Sequence, residues 1–99
     1  MSEAEQHFKG IGKLVEECGE VLQLCGKAML FPVGPHPDGK GPIAERLPAE
    51  LSERKAAIIY FESVNNLTVD NERVSHKVSL FERWGLAGVF DLMQKPYGK

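Results

Sequence analysis

The residues best suited to chemistry in this chain are carboxylates. Glu16, Glu17 and Glu20 crowd into one short segment, and Glu50 and Glu53 form a second pair at i, i+3 spacing. A helix advances by about 100° per residue, which puts Glu16 and Glu20 on one face with Glu17 on its flank. Lys13, Gln23 and Lys27 continue that stripe. Taken alone, EExxE also suits a solvated helix face with Lys–Glu pairs, each contributing about 0.2–0.5 kcal/mol. The second pair opens a face that continues through Ala57, Tyr60, Phe61 and Val64. A face that turns apolar should point into a helical bundle. The other reading of Glu50 and Glu53 is an exposed first turn, where acidic side chains favour the helix dipole.

Two such helices packed antiparallel would bring both sets of carboxylates together. Burying acids without compensation is costly, and a cation resolves the cost. Mg²⁺ prefers oxygen ligands and keeps several waters, so it can bridge carboxylates and phosphate oxygens. A carboxylate outside its shell can take the proton of an attacking water. Basic residues suited to phosphate follow the same geography: Lys27 two turns beyond Glu20, Arg46 just ahead of the second pair, and Arg73, Lys77 and Arg83 further along. Each also suits a surface charge on an amphipathic helix. His7, His36 and His76 are scattered without zinc-like spacing. The aromatics Tyr60, Phe61, Phe81 and Trp84 read as core.

The elements that must position these groups are all helical. From about Glu3 to Leu30, apolar residues recur at Phe8, Ile11, Val15, Cys18, Leu22, Cys25 and Met29, with Leu14, Val21 and Leu24 widening the face. That alternation of three and four marks one long amphipathic helix, weakened at Gly10, Gly12, Gly19 and Gly26. FPVGPHPDGKG, residues 31–41, ends it in a proline- and glycine-rich loop suited to a substrate lid, in which His36 and Lys40 would close over a ligand; an ordinary solvated loop is the other reading. A second helix is expected from about Pro48 to Val64, closed by Asn65 and Asn66. Thr68 or Asp70 would cap a third, carrying Val74, Lys77, Val78, Phe81 and Trp84 and ending at Gly85. One further short turn is expected beyond Leu86. No segment shows sustained β alternation, so the fold class is all-α.

Composition sets the frame. The 99 residues suit a single domain, 1–99, whose small core a second subunit would complete. Hydrophobic residues make up 42% and charged residues 26%, ordinary values for a globular chain. The net charge of −2 lacks the basic excess expected of a nucleic-acid binder. Cys18 and Cys25 are two helical turns apart, roughly 10 Å, too far for a disulfide. They read as reduced core residues and imply a cytoplasmic setting. The polar start, residues 1–7, lacks a signal-like apolar region, and no stretch suits a membrane span.

At this point the pattern resembles a family. EECGE at 16–20, then CGKAMLFP and an HPDG loop, then ELSE at 50–53 with AAIIYFE, and RVSHKVSLFERWGL in the third helix resemble the MazG-like all-α NTP pyrophosphohydrolases and their EExxE…ExxD signature. The resemblance runs from about Phe8 to Gly88. It implies a helical bundle assembled as a homo-dimer or tetramer. It implies Mg²⁺-dependent hydrolysis, with Mn²⁺ as a substitute, between the α and β phosphates of an NTP or dNTP, releasing a monophosphate and pyrophosphate in nucleotide-pool housekeeping. Position by position, Glu17, Glu20, Glu50 and Glu53 become metal ligands. Glu16 becomes a further ligand or the base for water, so that Glu16 and Glu17 form the catalytic pair. Lys27, Arg46 and Lys77 are the expected substrate-binding cations. The chain departs from the family at Glu53, where the last acid is usually Asp; the extra methylene shifts that carboxylate by about 1.5 Å. Arg54 and Lys55 follow where the family is usually apolar. These three residues define the alternative reading, a catalytically compromised helical protein that binds a nucleotide or a protein partner.

Overall fold

The computed structural model describes residues 2–88 and contains four helices: α1 (Glu3–His7), α2 (Ile11–Leu30), α3 (Ile43–Val64) and α4 (Asn71–Leu86). Among the described residues there is no strand, and one isolated antiparallel bridge joins Pro35 to Pro42. The all-α expectation holds. The short turn expected beyond Leu86 lies largely outside the described residues.

The expected long first helix is instead two. Gly10 takes a left-handed conformation (φ 77°), which ends the α1 turn and resets the chain direction. Glu5 stabilises the break: its carboxylate accepts the Gly10 N–H (3.1 Å) and the Gly12 N–H (2.6 Å), donors at the start of α2 that lack helical partners. Asn65, at the end of α3, ties down the same corner. Its Oδ1 accepts from the Lys9 N–H and its Nδ2 donates to the Lys9 carbonyl, both at 2.8 Å. Phe8 stacks on Phe61 with ring centroids 6.5 Å apart.

The start of α2 therefore meets the end of α3. At the other end, Lys27 of α2 and Arg46 of α3 both reach Asp38 in the connecting loop. The two helices are antiparallel neighbours. Their shared core is small, with Leu24, Ile43 and Ala57 as its buried apolar members. The face of α2 that meets α3 is the one carrying Leu14, Glu17, Val21 and Leu24. The more regular apolar stripe points elsewhere: Val15 is 66% exposed, Leu22 74% and Met29 42%, and Cys18 is exposed as well. Cys18 is thus not a core residue, and Tyr60, Phe81 and Trp84, read above as core, are exposed too.

α3 starts at Ile43, a turn and a half earlier than expected, and contains Pro48. Proline lacks one helical N–H, but this loss falls near the N-terminus on an exposed side, where water can satisfy the freed carbonyl. Ser52 Oγ donates to the Pro48 carbonyl at 2.7 Å. The far end of α3 matches expectation, with Asn65 as C-cap and Asn66 left-handed at φ 55°.

The chain divides into two compact units between Thr68 and Val69. In the second, Asp70 rather than Thr68 caps α4, its side chain accepting the Arg73 N–H at 3.1 Å. The helix runs through Gly85 to Leu86. Among the described residues, no helix is long and apolar enough to cross a membrane.

Candidate metal centre

Antiparallel packing brings Glu17 and Glu20 of α2 opposite Glu50 and Glu53 of α3. One carboxylate oxygen from each of the four lies within 4.8 Å of the others. The set grades from inside to outside: Glu17 is buried, Glu20 and Glu50 are half-buried, and Glu53 is exposed. Glu17 Oε1 pairs with Lys13 Nζ at 3.0 Å, one helical turn earlier. Its other oxygen, like Glu50 Oε2, is buried without a hydrogen-bond partner. An unsatisfied buried polar group costs about 1–3 kcal/mol, and more when charged. A cation among the four would offset the charge that Glu17 and Glu50 bring inside. Oxygens on opposite sides of a Mg²⁺ shell stand about 4.2 Å apart, twice the metal–oxygen distance. The 4.8 Å that bounds the cluster is of the same order.

The electrostatics agree with a shared site. The Glu50 carboxyl is pushed above its usual pKa, first by burial and then by the Glu20 carboxylate facing it, with Glu53 and Glu17 adding to the effect. Lys13 is raised by its contact with Glu17 and by the charge of Glu16. Glu16 itself is 57% exposed and only 3.4 Å from Lys13 Nζ. It stands on the rim of a cleft of about 610 Å³ that Glu17, Glu20, Glu53, Ala57 and Tyr60 also line.

A second cavity, of about 360 Å³, shares Glu20 with the first and includes Glu50. Lys27, Lys40 and Arg46 also line it. The connecting loop reaches two of these cations through Asp38, whose Oδ2 lies 2.9 Å from Lys27 Nζ and 3.2 Å from an Arg46 guanidinium nitrogen. Asp38 Oδ1 accepts the Lys40 N–H at 3.0 Å. The hydrogen bond from Lys27 foremost, then that from the Lys40 backbone, and the bond and charge of Arg46 hold the Asp38 carboxyl well below the usual range. His36 Nδ1 lies 2.9 Å from the Asp38 nitrogen and 3.1 Å from Asp38 Oδ1. A neutral ring accepts from the first; a protonated one donates to the second. The edge of the His36–Phe31 ring pair, 5.1 Å between centroids, packs the loop onto the end of α2.

The four glutamates expected as ligands therefore lie together in space, Glu16 stands beside them on the rim, and Lys27 and Arg46 line the adjoining cavity. Glu53, despite its added methylene, reaches the other three. Lys77 belongs to α4 in the second unit, where it lines a groove with Arg73, Val74 and Phe81; the carboxylate site is built wholly from the first unit. Lys13, already legible on the Glu16–Glu20 stripe, pairs with Glu17 at i, i+4 spacing. Sequence reasoning passed over one participant. Asp38 carried no signal, because a loop residue's partners follow no periodicity. Compared with protein-family models, curated proteins and solved structures, the chain finds no match.

Proposed function

We propose that the chain is a metal-dependent nucleoside triphosphate pyrophosphohydrolase of the MazG-like kind. The observation that carries this reading is the convergence of Glu17, Glu20, Glu50 and Glu53, with two orphaned buried oxygens, beside a cavity lined by three cations. Glu17, Glu20, Glu50 and Glu53 would hold Mg²⁺ or Mn²⁺. Bound there, the ion supplies positive charge that polarises a phosphoryl oxygen and offsets charge developing on the leaving pyrophosphate. Lys27, Lys40 and Arg46 hold the phosphate chain through charge-assisted hydrogen bonds. Glu16, on the solvent-facing rim, accepts the proton of the attacking water. Water oxygen bonds to the α-phosphorus, the α–β anhydride bond breaks, and the products are a nucleoside monophosphate and pyrophosphate. The larger cleft, walled beyond the carboxylates by Ala56, Ala57 and Tyr60, is the place for the nucleoside.

Self-association belongs to the same reading. The exposed stripe of Val15, Cys18, Leu22 and Met29 along α2 has the seam spacing of a helix–helix contact. A second copy of this chain would cover it and enlarge a core with few buried apolar side chains. The unpaired thiols of Cys18 and Cys25 fit a reducing compartment such as the cytoplasm.

The deciding experiment offers a panel of canonical and modified NTPs and dNTPs, with pyrophosphate release measured with Mg²⁺, with Mn²⁺ and with chelator. Metal-dependent release from at least one nucleotide is expected. Nucleotide binding with no release from any would leave the catalytically compromised binder instead.

A further inference from the structure

The cations beside the carboxylates already hold an anion, and it comes from the protein itself. Asp38 is gripped by Lys27 Nζ at 2.9 Å and by both terminal nitrogens of Arg46, one 3.2 Å from Oδ2 and the other 3.3 Å from Oδ1. A guanidinium fork closing on two oxygens is also how arginine takes phosphate. The donors come from both helices that build the metal centre, and both line the cavity that includes Glu20 and Glu50. A phosphate chain entering that cavity therefore meets two cations already paired with a carboxylate.

We propose that Asp38 is an internal phosphate mimic, a latch that a polyphosphate substrate displaces from Lys27 and Arg46. The inference rests on reading the adjoining carboxylates as a phosphate-processing site. The loop is built to release it. Its base lies between the ends of α2 and α3, where Pro35 and Pro42 run antiparallel side by side, and Asp38 stands at its tip. Gly39 and Gly41, on either side of Lys40, sit at φ 77° and 96°, conformations open to glycine and strained for other residues. The tip is held to the helices mainly by Asp38 and by the His36–Phe31 ring contact. Binding then opens the loop tip, the reverse of a lid that closes over its ligand. The latch keeps Lys27 and Arg46 ordered and paired until a stronger anion arrives, which disfavours singly charged competitors.

The test is calorimetric titration of the full chain with inorganic tripolyphosphate in Mg²⁺, for wild type, Asp38→Asn, Asp38→Ala and Lys27→Met. Removing the competing charge should tighten binding roughly tenfold in both Asp38 variants, and Lys27→Met should weaken it by a similar factor. Hydrogen exchange over residues 36–41 should quicken in wild type when the ligand binds, and should be fast in Asp38→Asn with or without it. Circular dichroism confirms that the variants keep their helices. Equal or weaker binding by both Asp38 variants makes Asp38 an organiser of the cations and overturns the latch, as does exchange that slows in wild type. Failure of the parent reading looks different. Asp38→Asn would still tighten tripolyphosphate binding, while no nucleotide yields pyrophosphate.

Discussion

Glu20 and Glu50 face each other across the α2–α3 seam with carboxylate oxygens inside a 4.8 Å cluster, and no hydrogen-bond donor stands on Glu50 Oε2. The Glu50 carboxyl is raised above its usual pKa, by burial first and the facing Glu20 carboxylate second, which expresses the cost of placing two acids this way. Such a pair opposes folding unless something positive lies between its members. Glu20→Gln or Glu50→Gln keeps the side-chain size and removes one charge. Each should abolish metal-dependent turnover and leave the metal-free melting temperature equal or higher. A structural ion-pair network behaves oppositely, because losing one partner of a buried pair costs about 3–5 kcal/mol. Thermal melting in chelator, paired with pyrophosphate release in Mg²⁺, reads both signs; a large loss of metal-free stability in these variants would falsify the metal-cluster reading.

Asp38 titrates with the opposite sign. Its carboxyl is held below the usual range by Lys27, the Lys40 N–H and Arg46, so in acid the unfolded chain binds a proton more readily than the folded one. Its contribution is complete above the ordinary aspartate pKa and is lost as pH falls toward the depressed one. Asp38→Asn should therefore flatten the acid limb of the melting-temperature profile and leave the slope unchanged above about pH 5. The difference between the two chains isolates Asp38, since Glu50 is present in both. High salt should shrink it, because the group is partly exposed and screened. Superimposable acid limbs would show that the loop contact carries no pH-dependent stability.

Leu22 offers the cleanest test of self-association. It is 74% exposed on α2, so Leu22→Glu should cost the isolated fold no more than about 0.5 kcal/mol. Placed in the middle of a helix–helix seam, the same charge would be desolvated and would split the assembly. Light scattering at micromolar protein should give a multiple of the chain mass for wild type and the chain mass for the variant. A wild type that is already monomeric removes the stripe from consideration as a subunit contact.

Gly10 tests the corner between α1 and α2. At φ 77° any L-residue is strained by about 1–2 kcal/mol. An added Cβ would also lie 2.9 Å from Tyr60 Cε2, nearer than side chains tolerate. Gly10→Ala should lower the melting temperature by about 4–8 °C for each kcal/mol lost. Gly26→Ala is the control: it sits within α2 with open space where the Cβ would go, and should be neutral or stabilising. Equal melting of the two variants would mean that the chain can reverse at Gly10 without the left-handed residue.

Residue types and local spacing alone determined the helical class, the end of α3 at Asn65, the Asp70 cap as one of two candidates, and the carboxylates to watch. These are short-range properties: propensity, capping and i, i+3 or i, i+4 spacing act within a few residues. Tertiary structure decided the rest. α2 offers two apolar stripes a fraction of a turn apart, and periodicity favours the one through Val15, Cys18 and Leu22. α3 instead packs on Leu14, Val21 and Leu24, and that rotation turns Glu17 inward to meet Glu50. The break at Gly10 became readable only with Glu5 and Asn65 in place to satisfy the freed backbone groups. The hold of Asp38 on Lys27 and Arg46 joins a loop to two helices across eleven and eight residues. No local rule encodes such contacts, because their energy depends on where another segment arrives, which the folded chain alone decides.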